Sequence, residues 1–150
     1  MFGPKFRKKV KEWANRYGPP LVLATLTAVI VATLTYMAFG NKILSAVLGT
    51  WADNLVFYGI VAYRDIKARR GKDGKVTLGG FLKVMRNMAM EFGPAEYLDS
   101  FLIRPFLLAV FPLFISPYSL GVLVGSIAAE FTFFLPTILS YETRKKIFSD

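Results

Sequence analysis

Two long stretches without a single charge constrain this chain more than any other feature. No charged residue lies between Arg16 and Lys42, and none lies between Arg104 and Glu130. Each stretch is long enough to cross a bilayer as a helix, which takes about 20 residues. Composition closes off the soluble alternative. The chain is 54% hydrophobic and 19% charged, whereas a soluble domain carries roughly 25% charged residues to cover its surface. The expectation is an all-α membrane protein, a single membrane domain over residues 1–150 with four transmembrane helices at about 20–39, 43–63, 95–115 and 118–139. The basic start followed by an apolar run has the outline of a signal peptide. The run from Pro20 to Phe39 is long enough to span, however, and no clear small-x-small cleavage site follows it, so it reads as the first membrane helix.

The net charge of +9 does not point to nucleic acid, because the basic residues collect beside the apolar segments. They flank the same side of all four spans: residues 1–16, the loop Arg64–Lys75, and Arg144, Lys145 and Lys146. The opposite turns, Gly40-Asn41 and Ser116-Pro117, carry one charge between them, Lys42. The positive-inside rule makes the basic side cytoplasmic, so both ends and the central loop are expected in the cytoplasm, in the plasma membrane. Arg64, Lys67, Arg69 and Arg70 are candidates for binding anionic lipid headgroups, although topology alone explains such a bias. Lys72-Asp73-Gly74 reads as the tip of this loop and is not a P-loop. There is no histidine and no cysteine, which removes thiol chemistry, disulfides and the usual zinc sites. No cofactor or metal is expected, and no catalytic residues stand out.

The chain also repeats itself. Tyr17-Gly18-Pro19-Pro20 matches Phe92-Gly93-Pro94-Ala95, and Val47-Leu48-Gly49-Thr50 resembles Leu123-Val124-Gly125-Ser126. Repeat 1 covers about 5–70 and repeat 2 about 80–146. Each half reads as an amphipathic interfacial helix, a Gly-Pro break and a two-helix hairpin. Two such hairpins have the same orientation, which is a parallel internal repeat. In the first half, Phe2, Phe6, Val10 and Trp13 would form the apolar face of the interfacial helix, and Gly18-Pro19-Pro20 would end it. Ala24, Ala28 and Ala32, and Gly121, Gly125 and Ala129, form small-residue stripes suited to close helix contact.

Charges inside membrane helices carry the functional signal, since each costs about 2.5–3.5 kcal/mol on the insertion scale. Asp53 and Glu130 both fall at mid-depth, about 15 Å from the ends of their spans. The repeat aligns Glu130 with Asn54, so each second helix delivers a carboxylate to one level. Arg104 falls near that level on the third span. Its expected task is to hold the two carboxylates, or to exchange one for an anion such as a phosphate. Pro105 removes a backbone donor beside it, which places Arg104 against the bundle interior. Glu96 and Asp99 lie nearer the cytoplasmic end and read as accessory or interfacial. Ser126, Glu130 and Thr137 share a polar face of the fourth span.

The layout resembles that of small four-span transporters and lipid-carrier flippases, such as the small multidrug resistance group, in helix count, size and a membrane carboxylate, with no motif in common. The expected function is a transporter, flippase or ion-conducting protein working through Asp53, Arg104 and Glu130, as a homo-oligomer among membrane lipids. A non-catalytic subunit or scaffold held by buried charges is the alternative. A lipid-modifying enzyme with a divalent metal on Asp53, Asn54 and Glu130 is third.

Overall fold

The computed structural model describes residues 3–70 and 74–148. Among these, all regular structure is helical: α1 (Pro4–Phe39), α2 (Lys42–Ala68), α3 (Leu78–Leu98), α4 (Arg104–Phe114) and α5 (Tyr118–Phe148), with a π turn, Asp99–Ile103, joining α3 to α4. Four rods result, since α3, the π turn and α4 run on as Leu78–Phe114, and each is long and apolar enough to cross a membrane. The chain is therefore a multi-pass membrane protein. Large apolar side chains such as Leu55, Phe106, Phe131 and Leu139 point outward, as suits a bundle dissolved in lipid rather than water.

The rods are longer than the apolar layer. The 36 residues of α1 span about 54 Å at the α-helical rise, against about 30 Å of hydrocarbon. This corrects the expectation of separate interfacial helices ended by Gly-Pro breaks: α1 continues through Gly18-Pro19-Pro20, and α3 continues through Gly93-Pro94. The physical reason is visible at the first break. A proline lacks the N–H that would bind the carbonyl four residues earlier, so Pro19 and Pro20 release the carbonyls of Asn15 and Arg16. Arg64 Nη1 donates to both, at 3.0 and 3.2 Å. A side chain from α2 thus replaces the missing backbone donors, and the helix does not end. Phe6 and Val10 are exposed, and Phe2 lies outside the described residues, as do Lys72 and Asp73 of the expected loop tip.

Small residues set the helix spacing. Ala24, Ala28 and Ala32 are fully buried, and a Cβ at Gly49 would meet Ala32 Cβ at 3.0 Å and Ala28 O at 3.2 Å. α4 and α5 approach still more closely. A Cβ at Gly121 would lie 2.5 Å from Pro112 Cα, and one at Gly125 would lie 2.7 Å from Leu107 O. The first outer turn is closed by Gly40, at φ 65, a left-handed conformation glycine adopts freely. Asn41 then caps α2, its side chain accepting from the N–H groups of Ile43 and Leu44 at 3.0 Å.

Candidate functional site

Arg104 lies at the centre of the bundle, 2% exposed, with three carboxylates around it. Its Nε donates to Asp99 Oδ2 at 2.7 Å and its Nη1 to Glu130 Oε1 at 2.7 Å. Asp53 Oδ2 is 3.4 Å from the same Nη1. The groups come from α2, the π turn, α4 and α5. Sequence reasoning placed Asp53, Glu130 and Arg104 at one depth, and the fold brings them together. Asp99 is the correction: read as interfacial, it is buried and bonded to Arg104. On an α-helix, residues five apart point about 140° away from each other. The π turn removes that obstacle. There the backbone N–H of Arg104 bonds Asp99 O, and Pro105, which has no N–H of its own, follows directly. Insertions of this kind recur at functional sites.

Glu96 and Asn54 form a polar branch beside the cluster. Asn54 Nδ2 donates to Glu96 Oε1 at 3.1 Å and to Ser100 Oγ. Ser100 Oγ and Tyr58 Oη donate to Glu96. Asn54 is therefore turned toward Glu96 rather than joining Asp53. Ser126 is fully buried near the cluster's depth. Its Oγ, with Asp53 Oδ1 and Asp99 Oδ1, has no hydrogen-bonding partner among the described residues. Buried polar atoms are seldom left so. Three carboxylates face one guanidinium, a formal excess of two negative charges. No grouping of acidic side chains suited to a metal ion occurs among the described residues.

A second charged layer lies toward the basic end, and the sequence reading did not single it out. Arg16 makes paired bonds to Asp65, at 2.9 and 3.0 Å, and to Glu91, at 2.9 and 2.8 Å. Glu91 is fully buried, accepts from Tyr17 Oη and lies 3.8 Å from Arg144 Nε. Each rod supplies one member. A signal was available: Arg16 and Glu91 precede the two Gly-Pro pairs at matching positions with opposite sign. Outside this layer, Lys9 pairs with Glu142 and Lys145 with Glu12. These bonds hold the carboxyls of Glu12 and Glu142 below the usual carboxylate range. Of the headgroup candidates, Arg64 is spent on the α1 carbonyls, while Lys67 and Arg70 are exposed and Arg69 is half-buried.

An aromatic layer separates the two charged ones. Tyr17, Phe57, Phe92 and Phe133 are buried there with Tyr58 and Phe134 packed against them. Phe92 and Phe133 stack at 6.2 Å, and Phe57 meets both edge-on.

No family model, curated protein or solved structure matches the chain. The layout shared with small four-span transporters therefore gains no support beyond helix count, and function must be argued from the site.

Proposed function

We propose that the protein is a small transporter or ion-conducting protein of the plasma membrane, with the Arg104 cluster as the site that takes up and releases a proton or small cation. The observation that carries this is the charge imbalance. Three buried carboxylates share one guanidinium, and two of their oxygens lack a donor. An uncompensated charge in the hydrocarbon is costly, so a proton or cation must balance it. Exchange of that ion with either side is the chemistry such a site can perform. The burial of Arg104 and its three partners count against the anion-exchange role expected from the sequence, because an anion would have to displace a carboxylate.

The same reading includes a duplicated fold of two like-oriented hairpins with both termini cytoplasmic. Equivalent positions meeting across the bundle support it. Arg16 bonds Glu91 at the repeat offset, Tyr17 and Phe92 rings lie 6.2 Å apart, and Phe57 and Phe133 lie 6.0 Å apart. Such meetings are what an axis along the membrane normal produces. Four helices enclose little room, so a homo-oligomer is part of the proposal, as is contact of Lys67, Arg69 and Arg70 with anionic headgroups. A scaffold role is the second reading, favoured by the well-paired Arg16 layer that ties all four rods.

The test is ion flux into liposomes carrying the purified protein under an imposed potential, with protons and alkali cations offered separately. Wild type should pass one of them. Asp53→Asn should abolish flux while the protein remains folded. Absence of flux from wild type with every ion, together with loss of assembly in Asp53→Asn, would favour the scaffold.

A further inference from the structure

Glu96 stands beside the Arg104 cluster and is the hub of a separate set of oxygens. Tyr58 Oη and Ser100 Oγ both donate to it, and Asn54 Nδ2 reaches its Oε1 at 3.1 Å. Asn54 and Ser100 are buried, while Glu96 and Tyr58 are half-buried, so access to the set does not run through the buried Arg104. The backbone adds a further oxygen. In the π turn the N–H of Arg104 bonds the carbonyl of Asp99, five residues back. At the same spacing the carbonyl of Ser100 would take the N–H of Pro105, and proline has none. The Ser100 carbonyl is thus left without its helical donor inside the membrane, where an unsatisfied backbone group is costly. Carbonyls released in this way from membrane helices serve as ligands for sodium ions.

We infer that this set is a binding site for a small monovalent metal cation of the sodium class. Its ligands are the Glu96 carboxylate, the Ser100 hydroxyl and carbonyl, the Tyr58 hydroxyl and the Asn54 amide oxygen. Each neutral group can serve. A hydroxyl that donates still has lone pairs to offer, and a half-turn of the Asn54 amide exchanges Nδ2 for Oδ1. Charge selects the valence. One carboxylate among neutral oxygens balances a single positive charge, whereas a calcium site draws on several carboxylates. Asn54 and Ser100 are the sequence neighbours of Asp53 and Asp99, so an ion held here is one residue removed from two acids of the deep cluster. This deepens the transport reading by naming the ion and a station for it outside that cluster, and it rests on that reading only for what happens after binding.

Trp51 supplies the measurement. It lies on α2 and packs edge-on against Phe101 of the π turn, with ring centroids 5.9 Å apart. The protein has two tryptophans, and Trp13→Phe leaves Trp51 as the reporter. Sodium chloride is titrated into this protein in lipid nanodiscs, with choline chloride holding the ionic strength constant. Sodium should change the Trp51 emission saturably, and choline alone should not. Glu96→Gln should abolish the response. Ser100→Ala should weaken it by about tenfold, the worth of one contact to a charged group. It removes no charge and remains decisive if Glu96→Gln does not fold. A Glu96 that only ties α2 to α3 through hydrogen bonds predicts no sodium response from the folded protein, and that result would overturn the site. A response that both substitutions leave unchanged would overturn it too. So would one that Asp53→Asn removes and Glu96→Gln keeps, since the ion would then sit at the Arg104 cluster. Ion flux without a sodium response would sink the site alone. Saturable sodium binding without flux of any ion would sink the transport reading and leave the site.

Discussion

The two charged layers of the bundle use the same side chains in different proportions. Toward the basic end, Arg16 and Arg144 face Asp65 and Glu91, two cations to two anions, and Arg16 meets both carboxylates with paired bonds. At mid-depth, one arginine serves three carboxylates, and two carboxylate oxygens are left without donors. Balanced charge and carboxylates held by paired bonds are what a fastener needs. Buried charge without balance is tolerated in membranes where the protein uses it. The aromatic layer around Phe57 and Phe92 keeps the two apart, so each layer can be altered with little effect on the other.

Removing the arginine of each layer should separate them most sharply. Arg104→Leu leaves three carboxylates facing one another and should cost about 3–5 kcal/mol, the usual result of breaking a buried pair from one side. Arg16→Leu leaves Glu91 with Tyr17 and Arg144 and leaves the partly exposed Asp65 to water, and should cost about 3 kcal/mol, the lower end of the range for breaking a buried pair from one side. Denaturant unfolding in a mild detergent measures both. An Arg16 variant less stable than the Arg104 variant would reverse the assignment of roles.

The close approach of α4 and α5 holds Arg104 and Glu130 in register, and a methyl group there should loosen the deep layer selectively. Gly121→Ala places its Cβ 2.5 Å from Pro112 Cα and should cost about 1–3 kcal/mol by overpacking. Gly59→Ala, where a Cβ meets open space, should be neutral or slightly stabilising through helix propensity. Thermal unfolding of the pair decides it, and equal midpoints would mean that the helices part readily.

The smallest effect concerns pH. Glu12 and Glu142 lie outside the spans, and their hydrogen bonds to Lys145 and Lys9 depress their carboxyl pKa. A depressed folded-state pKa contributes stability at pH above the unfolded value and loses it as pH falls through the folded value. The pairs are partly exposed, so each should give less than about 1 kcal/mol, screened by salt. Unfolding in acid should be slightly easier for wild type than its neutral-pH stability suggests, and Glu142→Gln should flatten that slope.

Much of this was legible in the sequence because the bilayer enforces it. Charge-free runs must be helices, and Asp53, Arg104 and Glu130 share a depth that the helical rise alone supplies. What was not legible depended on long-range partners. Gly18-Pro19-Pro20 carries every local mark of a helix end, and only Arg64, far along the chain, satisfies the carbonyls it frees. Asp99 could not be joined to Arg104 by α-helical periodicity, because the π turn changes the count by one. Glu91 has no local mark that sets it apart, and only the fold brings Arg16, Tyr17 and Arg144 around it.

The central claim is that the deep layer exchanges charge and the basic-end layer does not. Transient charge displacement after a pH jump, recorded from the protein on a solid-supported membrane, tests it directly by comparing Asp53→Asn with Asp65→Asn. The account predicts a displacement in wild type that survives Asp65→Asn and disappears in folded Asp53→Asn. A signal that survives Asp53→Asn and disappears in Asp65→Asn would contradict it.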